Sequence, residues 1–315
     1  MEITASPFAK HPDSTRRASI EWPTLTLAAG IYGGWGLVTF FHAELPFYVL
    51  VPLGAWLLAW QGSLQHEIIH GHPTRWRRFN RFLGAIPLSL WLPYERYRVL
   101  HLCHHRDEVL TDPLDDPESY YWTEEHWQEL GLVGRWLVKA QTRLLGRLVI
   151  GPFWSVSRYL LSEAKAMLAG DRHLARIWAR HLAGCAVILA WLVFVCDFNP
   201  LAYAALILYP GTSLLMVRSF AEHKAEHAVF KRTAIVEGSP VMGLLFLYNN
   251  LHAVHHAHPT LPWYKLPAVY RANRAAFLER NGGLLYKGYG EVFRRFLLRA
   301  HDQPEHPLGR VPLDS

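Results

Sequence analysis

The chain has 315 residues, of which 51% are hydrophobic and 18% charged, with 13 Trp and a net charge of +6. This balance sets it towards the membrane class with a substantial wet portion, and the basic residues flank apolar runs, which favours an anionic membrane surface over nucleic acid as their partner. Three cysteines exclude a disulfide framework: Cys103 sits among histidines, and Cys185 and Cys196 lie about three turns apart on one apolar helix, so the wet portion is expected in a reducing compartment.

In chain order, residues 1–21 are polar, carry Lys10, Arg16 and Arg17, and lack the apolar core of a signal peptide, so they read as a cytoplasmic tail. Residues 22–43 contain no Asp, Glu, Lys or Arg until Glu44 and are long enough to span a bilayer. A second uncharged run, 46–65, delivers the chain to His66. Arg75, Arg77, Arg78 and Arg81 follow, a cluster read chiefly as a positive-inside signal. Residues 82–93 are apolar but too short to span, and are expected at the interface or as a re-entrant segment. An acidic segment runs from Asp107 to Glu118. Residues 122–180 mix aromatics with Arg and Lys, and 144–161 suits interfacial amphipathic helices. Spans resume at 181–197 and 200–217 around the turn Asp197-Phe198-Asn199-Pro200. Residues 265–315 form a polar, basic C-terminal region.

The predicted fold is an all-α integral membrane protein with four transmembrane helices in two hairpins, interfacial helices and a cytoplasmic helical cap. Both inter-helix turns lack Lys and Arg, so the basic loops and both termini are expected in the cytoplasm, with a bacterial inner membrane the natural setting. A membrane domain is expected over 22–264.

Eight histidines fall into three clusters: His66/His70, His101/His104/His105 and His252/His255/His256. On a helix, positions i, i+3 and i+4 share a face, and the two hairpins return all three clusters to one membrane side. Imidazole suits Fe, Zn, Cu and Ni, and more ligands are on offer than one ion needs. His11, His42, His126, His173, His181, His301 and His306 read as ordinary solvated or hydrogen-bonded residues. A competing reading takes His66-Glu67-Ile68-Ile69-His70 as the His-Glu-x-x-His of a zinc intramembrane protease with Glu67 as general base. A catalytic zinc takes three protein ligands, which leaves both His-x-x-His-His clusters unexplained.

The order His-x-x-x-His, His-x-x-His-His, His-x-x-His-His, with membrane hairpins between, resembles the membrane fatty-acid desaturase superfamily from about Leu45 to Tyr264. The resemblance implies two iron ions, dioxygen as co-substrate, and a further histidine before the third cluster, which falls on His223. The implied ligands are His66, His70, His101, His104, His105, His223, His252, His255 and His256. Ser219 stands where eukaryotic acyl-CoA enzymes of the family carry Asn. Asn249, Asp112 and Glu226, with Asp107 and Asp116 as weaker choices, are expected to orient imidazoles through their other ring nitrogen. His72, His227 and His258 fall outside the pattern.

The implied activity is a non-haem di-iron oxidoreductase that introduces a double bond into a fatty-acyl or related lipid chain. Hydroxylation, or oxidative decarboxylation to a terminal alkene, on fatty acids, alkanes or terpenoids is the alternative. No cysteine cluster is present to hold an iron–sulfur module, so electrons are expected from a separate ferredoxin, rubredoxin or cytochrome-type donor, received on the basic face. Trp56, Trp60, Trp91 and Tyr94 are candidates for a substrate tunnel or for interfacial anchors.

Overall fold

The computed structural model describes residues 20–309. The expected tail, apart from Ile20 and Glu21, therefore lies outside the described residues, as does His11. The chain is mostly helical, in the order α1 (Trp22–Phe40), α2 (Phe47–Ile69), α3 (Arg77–Gly84), α4 (Tyr94–His104), α5 (Glu124–Glu129), α6 (Leu132–Gln141), α7 (Leu144–Val149), α8 (Gly151–Leu168), α9 (Arg172–Val195), α10 (Pro200–Glu222), α11 (Pro240–Leu245), α12 (His252–Ala257), α13 (Leu266–Arg280) and α14 (Tyr289–Phe296). One parallel pair of two-residue strands, β1 (Ile235–Val236) and β2 (Leu285–Tyr286), joins the chain after α10 to the chain after α13.

Three helices, α2, α9 and α10, are long and apolar enough to cross a membrane. The first expected span is helical as α1 and packs along α2, but four glycines, two tryptophans and three threonines dilute its apolarity. Helix α9 starts ten residues before the apolar run, because Asp171 accepts the Leu174 N–H (2.9 Å) as an N-cap and the basic turns of Arg172, Arg176 and Arg180 continue from it. Asn199 caps α10 in the same way through the Leu201 N–H (2.8 Å).

Small residues let α2 and α10 touch. A Cβ on Gly54 would lie 2.6 Å from the Ile207 side chain, and one on Gly211 2.6 Å from Leu58. Such close approach is the main source of helix association where lipid supplies no hydrophobic drive. The bundle core is built from Trp35, Leu57, Leu58, Ile188, Leu192 and Ile207, with Tyr203 at its centre.

The short apolar run 82–93 enters this bundle. Its non-helical carbonyls need partners there, and four find them on the bundle helices: Gln65 donates to Gly84 (2.8 Å), Gln61 to Ile86 (3.0 Å) and Tyr203 to Leu88 (2.7 Å), while the His181 imidazole meets Leu90 (3.0 Å). The chain then turns at Pro93 into α4.

Helix α4 is anchored from its polar side. Arg96 makes a bidentate ion pair with Glu163 of α8 (2.7–3.0 Å), and the same carboxylate accepts the Trp178 indole N–H of α9 (3.0 Å). Residues beyond α14 fold back as a strap. The Trp122 N–H donates to Pro304, the His306 N–H to Trp122, the His301 N–H to Thr142, and the Tyr121 hydroxyl to Asp302.

Glu163 is buried, so Glu163→Ala strands a partly buried guanidinium and an indole donor. The expected loss is about 3 kcal/mol of stability, against about 1 kcal/mol for Trp178→Phe, read by unfolding in detergent. Equal stability of the Glu163 variant and the parent would show that α4 is held elsewhere.

Candidate metal centre

Four parts of the chain converge at one end of the bundle. His66 lies in the last turn of α2 and His70 caps it, after which Gly71 (φ 97°) turns the chain away in a conformation that favours glycine. His101 and His104 lie on α4, with His105 as its C-cap. His223 follows α10 directly, and His252, His255 and His256 lie on α12. Helices α2 and α10 therefore run in the same direction, with their C-termini at the site.

The nine imidazoles form two sets. His66, His70, His101, His105 and His255 bring five nitrogens within 4.8 Å of one another, and His104, His223, His252 and His256 bring four. The sets abut where the rings of His105 and His256 stack at 4.4 Å. Within the sets it is Nε2 that faces inward: His70–His101 3.1 Å, His101–His105 3.0 Å, His105–His255 3.0 Å, His104–His223 3.0 Å, His223–His252 2.8 Å and His252–His256 3.1 Å. Two nitrogens bonded to one ion at about 2.1 Å and at right angles lie about 3.0 Å apart. The converging lone pairs thus have the spacing that a shared cation requires.

Four of the outer nitrogens are held by acceptors. His101 Nδ1 meets Glu118 (2.8 Å), His104 Nδ1 meets Asp116 (2.9 Å), His223 Nδ1 meets the Arg232 carbonyl (3.2 Å), and His252 Nδ1 meets Asn249 Oδ1 (3.1 Å) with Glu222 at 3.3 Å. An acceptor at Nδ1 keeps the proton there and turns the Nε2 lone pair inward. Asp116 is itself fixed by the N–H groups of Thr111 and Glu118 (2.9 Å each). Arg232, fully buried, donates to the carbonyls of Leu110 (2.5 Å) and Glu226 (2.6 Å), clamping the loop that presents His223.

Burial and neighbouring imidazoles hold His105, His223, His252 and His255 below the ordinary histidine range, and therefore neutral, as a metal ligand must be. His104 differs: burial pulls it down, but the Glu118 and Asp116 carboxylates outweigh that and raise it to about 9. Burial works against the Glu118 carboxylate, yet His104, His101 and Arg218 hold it below its usual range. Arg218, buried on α10, also pairs with Glu222 (2.9 Å). One guanidinium thus serves the carboxylate behind His101 of the first set and the one behind His252 of the second.

Of the expected orienting groups, Asn249 reaches the imidazoles, with His66 Nε2 also 3.4 Å from its amide nitrogen. Asp112 and Glu226 stand elsewhere, which corrects the sequence expectation. Asp112 accepts the N–H groups of Leu114 (2.8 Å) and Asp115 (2.9 Å) in a turn, and the exposed Glu226 offers its backbone carbonyl to Arg232. Asp116 and Glu118 take the carboxylate roles; the side chain of Asp107 lies outside the described residues. Ser219 turns its hydroxyl to the Met216 carbonyl (3.4 Å).

His72 belongs to a separate buried group with Glu21 (2.7 Å) and Glu67 (3.7 Å). Glu67 also accepts the Trp263 N–H (3.0 Å), tying residue 21, the end of α2 and the chain beyond α12 together. This placement, with three further imidazoles beside His66 and His70, does not fit a three-ligand zinc protease with Glu67 as base. Trp60 donates to the Leu244 carbonyl (3.0 Å), Trp91 packs edge-on to Tyr159, and Tyr94 fills the space beside Gly84; these rings join elements.

A helical bundle with three helices long and apolar enough to cross a membrane, and with two imidazole sets at one end that could hold metal, fits the membrane oxidoreductase class. The fatty acid desaturase family model matches residues 43–288, and the chain belongs to that family. A β-carotene ketolase from Paracoccus sp. (strain N81106 / MBIC 01143) is similar at 23% identity over 251 residues, 77% of this chain and 86% of that protein.

Removing an outer-shell acceptor typically costs about 10–100-fold in metal affinity. Asp116→Asn and Glu118→Gln are each expected to show that loss in a chelator-competition titration, whereas Glu226→Gln is expected to leave affinity unchanged. The reverse order would place the orienting carboxylates elsewhere.

Proposed function

We propose that the nine imidazoles hold two iron ions, five nitrogens on one and four on the other, and that the chain uses dioxygen to introduce a double bond into a fatty-acyl or related lipid chain. The observation that carries this reading is the convergence of two neighbouring sets of inward Nε2 atoms backed by carboxylates. When bound, the irons would supply reduction of dioxygen and an oxidant able to remove hydrogen from an unactivated C–H bond.

The chain's own residues set the conditions for that chemistry. Burial keeps His105, His223, His252 and His255 neutral; Glu118, Asp116, the Arg232 carbonyl, and Asn249 with Glu222 fix the tautomer and direction of His101, His104, His223 and His252 in turn. Arg218 balances the carboxylates, so outer negative charge is retained in a dry site. The four-nitrogen set has one protein donor fewer than its neighbour, and a metal centre needs such an open position to meet a substrate. Substrate reaches the site from the membrane, and electrons come from a separate ferredoxin, rubredoxin or cytochrome-type carrier on the basic, cytoplasmic side, both termini being on that side.

The ketolase relative favours a second reading, oxygen insertion into an apolar or polyene chain, and hydroxylation belongs with it. Product mass separates the two: loss of two hydrogens supports desaturation, and gain of oxygen supports the second reading.

Elemental analysis of the purified protein tests the foundation of both. About two irons per chain are expected, with His255→Ala, from the first set, and His104→Ala, from the second, each lowering the content. About one zinc per chain, retained in both variants, would overturn the di-iron assignment. Two zincs would signify substitution at the same sites, since imidazole sites bind zinc at least as readily as ferrous iron.

A further inference from the structure

Residues 131–162 carry Arg135, Lys139, Arg143, Arg147 and Arg158 and no Asp or Glu. The first four recur every fourth residue. Alongside them, large apolar side chains face outward: Trp136 is 63% exposed, Val149 57% and, from the strap, Leu298 68%. Cationic residues mixed with exposed Trp and Leu on short helices are the pattern of a segment lying in a membrane interface.

This segment is also concave. Helices α6 and α7 and the chain just after α14 enclose an open groove of about 620 Å³, with Trp136, Leu145, Val149 and Leu298 as walls and Lys139 and Arg143 at its margin. Its floor is tight, because a Cβ on Gly146 would lie 2.0 Å from the Ala140 carbonyl oxygen. Arg143 is pinned at the rim, donating to the carbonyls of Leu298 (3.1 Å) and Lys139 (3.0 Å). Neither Lys139 nor Arg143 meets a carboxylate among the described residues; Lys139 lies 5.6 Å from the Trp127 ring centre.

We infer that this groove binds an anionic phospholipid, its acyl chain against the apolar walls and its phosphate between Lys139 and Arg143. Two cations at one margin and none of the opposite charge in the whole segment select against zwitterionic lipid. No lining residue belongs to either histidine set or to the groups behind them, so the occupant is a resident lipid and not the oxidised chain. Bound there, it would brace α6 and α7 against Leu297 and Leu298, where the strap that holds Trp122 begins. The inference does not depend on the metal assignment.

The test is native mass spectrometry of the full chain released from nanodiscs of phosphatidylcholine containing phosphatidylglycerol, with melting temperature in each lipid as a second readout. The expected result is retention of phosphatidylglycerol over phosphatidylcholine and a higher melting temperature in its presence. Lys139→Glu with Arg143→Glu is expected to weaken that retention roughly tenfold or more and to abolish the thermal shift, while Arg143→Lys keeps both. Val149→Trp, which fills the groove without altering charge, is expected to lose the lipid and keep the parent's melting temperature in phosphatidylcholine. Equal retention of the two lipids would overturn the inference. So would undiminished retention in the charge-reversed protein, or displacement of phosphatidylglycerol by an equimolar long-chain fatty acid.

Discussion

Nine imidazoles must gather one nitrogen each into two sets whose members lie within 4.8 Å of one another, and much of the rest of this molecule answers that requirement. Left alone, such a cluster of lone pairs is self-repelling and poorly hydrated. It persists because helix ends deliver the rings from four directions, and because acceptors behind them hold the outer nitrogens. The α2–α10 contact through Gly54 and Gly211 brings His66 and His223 to the same end of the bundle. The Arg96–Glu163–Trp178 contact does the corresponding work for α4.

The site was legible in the sequence to the extent that helix geometry governs it. Spacing of three and four residues placed His101, His104 and His105 on one face, and likewise His252, His255 and His256. His223 stands alone in the sequence, and only the family resemblance singled it out. The orienting carboxylates were read less well. Asp116 and Glu118 lie 12 and 17 residues from their histidines on an irregular segment, where no periodicity links position to direction; Asp112, ranked above Asp116, accepts its own loop's N–H groups instead. Glu222 adjoins His223 yet serves His252, a pairing that only tertiary structure reveals.

The fold was readable on similar terms. Uncharged runs marked the helices, but the hydropathy of α1 is weaker than its freedom from charge suggests. The start of α9 was set by the Asp171 cap and not by the onset of apolar residues. Residues 82–93 were recognisable as too short to span. Which groups would satisfy their carbonyls was not, since Gln61, Gln65, His181 and Tyr203 come from three other helices.

The strap has a consequence for the order in which the molecule is completed. Asp116 and Glu118 stand on a segment secured through Tyr121 and Trp122 to Asp302, Pro304 and His306, some 180 positions further along. A chain synthesised from its N-terminus can insert its helices and gather its histidines well before those residues exist. Until they dock, the acidic segment is held by its own turn and by the contacts of Tyr120 and Tyr121 with residues 223 and 225. Docking of the strap, and with it the last fastening of the carboxylates behind His101 and His104, therefore belongs to the end of biosynthesis, after the histidines themselves have been made.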